Sequence, residues 1–176
     1  MKSEVRSQKF EFDQLAFISL GSNLGDSVAT ILHAMERLQE LSDEPILKSS
    51  LWQTSPVDCP PGSPEFVNAV VGLVPRAGET PESFLTKLQA LEKESGRRRK
   101  KVQNEPRLLD LDLVAFGNET RNSPDFILPH PRAHLRKFVL QPLSEIAPDL
   151  ILPGQRKSVA ELLSRLRSHE HLTRLE

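Results

Sequence analysis

Asp110 and Asp112 are the residues whose types and spacing are best suited to chemistry. They lie in an apolar segment, 109–116, which is predicted to be a β-strand. Alternate residues of a strand point to the same face, so the two carboxylates converge while Leu111 and Leu113 face the core. Neighbouring carboxylates repel each other unless a cation lies between them, and Mg²⁺ typically binds one or two carboxylates together with substrate phosphates. An ordinary polar strand face is the alternative, but aspartate is disfavoured in strands, so the pattern favours a magnesium site.

A basic segment precedes the two aspartates in the chain. Five consecutive basic residues occupy 97–101, and Arg107 follows three positions before Asp110. Guanidinium groups match phosphate oxygens with two parallel hydrogen bonds. The alternative is a solvated run of charge. The nearby carboxylates favour phosphate binding for Arg97, Arg99 and Arg107, and the other three basic residues of the run are predicted to face solvent.

Two weaker signals come from a loop histidine and from an aromatic–amide pair. His130 stands between Pro129 and Pro131 and could contact phosphate, although it could also be a packing residue. Phe66 and Asn68 lie on one face of a predicted strand by the same alternation. A ring beside an amide suits a flat heterocycle, which stacks and forms hydrogen bonds at its edge. A core phenylalanine with a polar neighbour is the alternative.

The elements that must position these residues follow the order β-α-β-β-α-β. This is the split βαβ pattern of ferredoxin-like antiparallel sheets, so an α+β fold is predicted, with helices on the faces of the sheet and further helices towards the C-terminus. Residues 1–14 are predicted to be a flexible extension and 15–176 a single domain. Strands are predicted at 15–20, 49–54, 66–74 and 109–116, and helices at 26–41, 80–96, 133–146 and 159–166.

Composition limits the classes of function. The net charge of the 176-residue chain is -1, which does not favour nucleic-acid binding by the whole molecule. No apolar run approaches the roughly 18 residues that span a membrane, and the first residues lack the apolar stretch of a secretory signal. The single cysteine, Cys59, cannot form an intramolecular disulfide. A cytoplasmic, monomeric protein is therefore expected.

Six segments, in a constant order over residues 15–155, carry a family resemblance. They are FISLGSNLGD at 17–26, SSLWQTSPV at 49–57, PEFVNAVVGL at 64–73, LEKESGRRR at 91–99, PRLLDLDLVAFGN at 106–118 and LPHPRAHLRKFVLQPLSEIAPDL at 128–150. The most specific pattern is P-R-x-x-D-x-D with P-H and R-x-F downstream. The chain resembles the 6-hydroxymethyl-7,8-dihydropterin pyrophosphokinase family of folate biosynthesis.

The resemblance implies a reaction and a set of binding roles. It implies transfer of pyrophosphate from ATP to the pterin hydroxymethyl oxygen with release of AMP, by a domain at 15–176 that uses two Mg²⁺ ions. Asp110 and Asp112 would bind the metal ions. The ATP phosphates would be contacted by Arg97, Arg99, Arg107 and His130, with Glu92 and Arg136 at further positions of the ATP site. The pterin would lie between Phe66 and Phe138, and its edge would be read by Asn68 and by the backbone of Thr54, Ser55, Pro56 and Val57.

Two other functions remain open from the residues themselves. A nucleotidyltransferase, or another magnesium-dependent phosphotransferase, could use the same carboxylates and arginines, and a nucleotidyltransferase would release pyrophosphate rather than AMP. An RNA-binding module could use the 97–101 run. Sheets that bind RNA expose stacking aromatic residues, and two aspartates on the face would repel phosphates without a metal. Small-molecule substrates are therefore predicted, and neither a nucleic acid nor a membrane.

Overall fold

The computed structural model describes residues 11–55, 62, 64–95 and 108–175. Six of its strands form one sheet in which every pairing is antiparallel. The sheet strands are β1 (Ala16–Ser22), β2 (Leu47–Lys48), β3 (Trp52–Thr54), β4 (Phe66–Leu73), β5 (Asp110–Phe116) and β8 (Leu172–Arg174). Their order is β5-β1-β4-β3-β8, and β2 also pairs with β4. A separate hairpin joins β6 (Arg121–Ser123) to β7 (Phe126–Leu128).

Four α-helices accompany the sheet in the described part of the chain, which confirms the α+β class and the antiparallel sheet. They are α1 (Ser27–Gln39), α2 (Pro81–Glu94), α3 (Lys137–Ile146) and α4 (Val159–Arg165). Asp26 caps α1 by accepting the backbone N–H of Ala29, and Thr80 caps α2 with a proline at the first helical position. Within these residues, no helix combines the length and the apolar character that crossing a membrane requires.

The predicted boundaries were wrong at three places, each for a local reason. Of the strand predicted at 49–54, only Trp52–Thr54 is a strand, because the Ser49 hydroxyl accepts the N–H of Val70 in place of a backbone carbonyl. The helix predicted at 133–146 is a short 3₁₀ turn followed by α3, because Arg136 is extended. Gly21 and Ser22, predicted to end the first strand, belong to β1 and pair with β4.

The two faces of the sheet are covered by different helices. One face packs Ile18, Leu20, Leu111 and Leu113 against α1 and α2 in the larger core cluster. The other face packs its apolar residues, including Phe17 on β1, against α3 and α4. This second face also carries Ser19, Asn68, Asp110 and Asp112, because strand alternation directs their side chains away from the larger core.

Candidate active site

One predicted metal ligand, Asp110, and the predicted heterocycle reader, Asn68, lie in one row across the sheet. Asp110 on β5 is opposite Gly21 on β1, Gly21 is opposite Asn68 on β4, and Asn68 is opposite Trp52 on β3. Directly opposed residues of antiparallel strands point to the same face. Asp112 is on that face as well. Leu111 and Leu113, which alternate with the two aspartates along β5, are buried in the core and face the other way. A carboxylate and a buried amide therefore share one surface, with a glycine between them.

Gly21 makes room for the side chain of Asn68. A Cβ atom at position 21 would lie 2.9 Å from Asn68 Oδ1, closer than ordinary packing permits. The Asn68 amide donates from Nδ2 to the Thr54 hydroxyl at 2.7 Å, and the residue is only 4% exposed. This bond holds the amide end of Asn68 against β3. Gly21 was not among the predicted site residues, although an isolated glycine within a strand is a signal of close approach.

Glu92 brings a buried carboxylate to the strand that carries the aspartates. It lies on α2 with only 7% of its surface exposed, and its Oε2 accepts the backbone N–H of Leu111 at 2.8 Å. Leu111 separates Asp110 from Asp112, so this hydrogen bond holds the backbone between the two carboxylates. The sequence-based prediction placed Glu92 at the ATP site, and the structure places it against β5.

His130 is anchored beside β5 and is neutral at physiological pH. Its backbone N–H donates to the Val114 carbonyl at 2.9 Å, and its Nδ1 accepts the N–H of Arg132 at 3.1 Å. Burial lowers the pKa of His130 from 6.5 to about 4, and the positive charge of Arg136 acts in the same direction, whereas Asp110 opposes it. Because Nδ1 accepts a hydrogen bond, the proton of the neutral ring is on Nε2, which is a donor.

Arg136 and Phe138 flank the first residue of α3. The guanidinium carbon of Arg136 lies 5.4 Å from the centre of the Phe138 ring, within the range of a cation–π contact. Both side chains are half-buried. Phe66, at the start of β4, is also half-buried and lies opposite Thr54. The two predicted stacking rings thus come from different elements and are both only partly buried, and Phe138 also packs against the second core cluster.

Other predicted site residues lie outside the part of the chain that the structure describes. They are Arg97, Arg99, Arg107, Pro56 and Val57. Within residues 11–55, 62, 64–95 and 108–175, no group of three or more histidine, cysteine, aspartate or glutamate side chains could hold a metal. An aspartate pair on one strand face fits Mg²⁺ nonetheless, because this ion commonly takes only one or two carboxylates and completes its shell with phosphate oxygens and water.

A sheet face with paired carboxylates and a buried amide, beside an anchored neutral histidine, has the groups that a transferase of phosphate-containing groups would use. Residues 17–148 match the model of the family described as 7,8-dihydro-6-hydroxymethylpterin-pyrophosphokinase (HPPK). A 2-amino-4-hydroxy-6-hydroxymethyldihydropteridine pyrophosphokinase of Haemophilus influenzae is 36% identical over 88% of this chain and 94% of its own length. The same enzyme of Pseudomonas aeruginosa is 37% identical over 86% of this chain and 91% of its own length. The chain belongs to this pyrophosphokinase family, which confirms the family that the sequence predicts.

Some relatives are much longer than this chain. The folic acid synthesis protein fol1 of Pneumocystis carinii is 36% identical over 94% of this chain, which spans only 22% of that protein. A crystal structure of a wild-type HPPK-DHPS of Plasmodium falciparum with pteroate superposes with a TM-score of 0.66 at 14% identity. It covers 86% of this chain, and the chain covers 42% of it, so this likeness supports the fold alone.

Proposed function

We propose that this chain transfers pyrophosphate from ATP to the hydroxymethyl oxygen of 6-hydroxymethyl-7,8-dihydropterin, giving the pterin diphosphate and AMP. The observation that carries the proposal is the row Asp110–Gly21–Asn68 across β5, β1 and β4. Neighbouring strands lie about 4.8 Å apart, so the carboxylate and the amide are separated by roughly 10 Å. A bicyclic heterocycle read at its edge by Asn68 would extend its substituent towards the carboxylates over such a distance.

Asp110 and Asp112 would hold Mg²⁺, and two ions are expected together with ATP. Bound magnesium would neutralise phosphate charge during the transfer. Glu92 would keep the two aspartates in place through the backbone of Leu111. Because His130 is neutral and presents Nε2–H, it would donate a hydrogen bond to a phosphate oxygen without adding a full charge.

The remaining roles follow from the family resemblance. The guanidinium groups of Arg97, Arg99 and Arg107 would bind the triphosphate and stabilise the charge that moves between bridging and terminal oxygens. Arg136 would add positive charge to the ATP site. The pterin would stack between Phe66 and Phe138, and its edge would contact Asn68 and the backbone of Thr54, Ser55, Pro56 and Val57. In such a site, catalysis consists mainly of alignment and electrostatic stabilisation.

We also infer that the sheet is ferredoxin-like, which the order β5-β1-β4-β3 and its antiparallel neighbours support. Residues 15–176 would form one catalytic domain after an extension at 1–14. A monomeric state and a cytoplasmic location stay predictions from the sequence.

The test is to incubate the purified protein with ATP and Mg²⁺, with and without 6-hydroxymethyl-7,8-dihydropterin, and to identify the nucleotide product. We expect AMP only when the pterin is present, and loss of AMP formation with EDTA. Release of pyrophosphate instead of AMP would indicate a nucleotidyltransferase. Absence of both products, although the pterin binds, would contradict the proposed reaction.

A further inference from the structure

The C-terminal segment of the chain runs beside the proposed pterin site. Its strand β8 pairs with β3, which places Leu172 opposite Thr54. Ser55, the residue after β3, is joined to His171 by two hydrogen bonds. The Ser55 N–H donates to the His171 carbonyl at 3.2 Å, and the His171 N–H donates to the Ser55 hydroxyl at 3.1 Å. The end of β3 is thus held from outside by this segment.

The same segment also reaches the start of α3. Oε2 of Glu170 accepts the backbone N–H of Lys137, the first residue of α3, at 2.8 Å. The Ser168 hydroxyl donates to the same carboxylate oxygen at 3.0 Å. Arg136 precedes Lys137 and Phe138 follows it. We call residues 168–172 the C-terminal clasp. They connect Ser55 at the end of β3 to the backbone of Lys137, the residue before Phe138.

The first turn of α3 depends on this external acceptor. The opening N–H groups of a helix have no partner within the helix, and the side chain of Arg136 does not cap them. Pro142 lies inside α3 and has no N–H, so the carbonyl of Phe138, four residues earlier, lacks its usual intrahelical donor. A carboxylate at a helix N-terminus satisfies the exposed donor and interacts favourably with the helix dipole. Glu170 supplies that carboxylate.

We propose that Glu170 is a positioning residue of the pterin site. By binding the Lys137 N–H while His171 binds Ser55, the C-terminal clasp sets the spacing between the Phe138 ring and the backbone that reads the pterin edge. This inference rests on the proposed function, because that function assigns Phe138 and Ser55 to the pterin. It predicts an effect on pterin binding that is not shared by ATP.

The test compares Glu170→Ala with Glu170→Gln in steady-state assays of AMP formation, varying each substrate separately. Loss of one N-terminal acceptor of a helix shifts an equilibrium by about fivefold, so we expect Glu170→Ala to raise the KM for the pterin by about that factor and the KM for ATP by less than about twofold. Glu170→Gln retains an oxygen acceptor for Lys137 without the charge, and should raise the pterin KM by less. Ser55→Ala, which removes the acceptor for His171, should also act mainly on the pterin.

His169→Ala is the matched control. His169 is exposed, neighbours Glu170, and has a side chain without a hydrogen bond or ion pair to the described residues. Equal rises in both KM values, or an unchanged pterin KM in Glu170→Ala, would overturn the inference. If Glu170→Ala does not fold, the KM values for the pterin and for ATP are measured for Glu170→Gln and Ser55→Ala instead. A rise in the pterin KM alone supports the inference, and an unchanged pterin KM overturns it.

Failure of the proposed function is distinguished by direct binding. Trp52 is the only tryptophan of the chain and lies opposite Asn68, so its fluorescence reports pterin binding without turnover. A wild-type protein that binds the pterin but makes no AMP would contradict the proposed reaction, and the clasp would still be tested by the pterin affinity of the variants. A wild-type protein that does not bind the pterin would overturn both.

Discussion

The carboxylate of Glu92 and the backbone N–H of Leu111 form a buried hydrogen bond of 2.8 Å between α2 and the strand that carries both aspartates. A hydrogen bond to a charged group contributes about 1.5–3 kcal/mol. This one acts on the peptide between Asp110 and Asp112, so it links the packing of α2 to the spacing of the carboxylates. Stability and metal binding should therefore respond together when Glu92 is changed.

Glu92→Ala should lower both the free energy of unfolding and the turnover. The Leu111 N–H would lose its acceptor in a buried place, which costs about 1–3 kcal/mol. Urea unfolding and the Mg²⁺ dependence of AMP formation measure the two effects. Glu94→Ala is the control. Glu94 lies on α2 like Glu92, but its side chain is exposed and pairs with Arg37 of α1. A Glu92 variant that unfolds earlier but keeps the wild-type Mg²⁺ dependence would contradict the link.

Asp112→Ala should remove magnesium-dependent turnover and leave the fold intact. Mutation of a residue that only supports a metal ligand typically lowers metal affinity or activity by about 10- to 100-fold. Loss of a direct ligand should therefore reduce the rate by at least about a hundredfold. Circular dichroism would check the fold and an AMP assay the rate. Asp125→Ala, in the exposed turn between β6 and β7, removes a carboxylate away from the site and should leave the rate unchanged. Near-normal turnover of Asp112→Ala would refute the metal assignment.

Gly21→Ala should weaken pterin binding by moving the Asn68 amide, since the new methyl group would lie 2.9 Å from its oxygen. Overpacking of this kind also destabilises a fold by about 1–3 kcal/mol. Gly72→Ala separates the two effects, because its Cβ would meet the Phe17 ring at 3.0 Å, far along β4 from Asn68. Fluorescence titration with the pterin should therefore show a loss only for Gly21→Ala. Equal affinities of the two variants would contradict the close approach.

His130 should make the protein less stable as the pH falls from about 6.5 to about 4. Burial lowers the pKa of His130 in the folded protein to about 4, whereas the histidine of the unfolded chain takes up its proton near 6.5. Between these two pH values the unfolded state therefore binds more protons than the folded state. The contribution is present above the unfolded pKa and is lost on acidification. His130→Gln should flatten the pH dependence of the unfolding free energy between those values. Identical profiles for wild type and His130→Gln would exclude the burial effect.

Strand alternation and capping residues made much of the fold predictable from the sequence. The alternation around Asp110 and Asp112 predicted which face they share, and the helices predicted from 26 and 80 begin directly after these positions, where Asp26 and Thr80 are the caps. Such features depend on residues close together in the chain. They do not require knowledge of which strands become neighbours.

The parts that could not be predicted depend on pairing between distant segments. The clash that requires Gly21 appears only when β1 and β4 are in register, and Glu92 is identified as a partner of Leu111 only when α2 packs beside β5. Strand β8 has three mostly exposed residues and no apolar pattern, so only its pairing with β3 reveals it. The strand predicted from 49 begins only at Trp52, because the Ser49 side chain replaces a backbone carbonyl as the acceptor for the distant Val70 N–H.

The position of β8 has a consequence for how the chain behaves at high concentration. An uncovered strand edge is a template on which another chain can add, and this is a route to aggregation. In the described sheet, β8 occupies the outer side of β3, and β8 itself is short, exposed and charged at Arg174. At the opposite edge, the Leu111 N–H of β5 is already bound by a carboxylate. Strand β8 and Glu92 therefore also leave less unpaired backbone at the two edges of the described sheet for another chain to pair with.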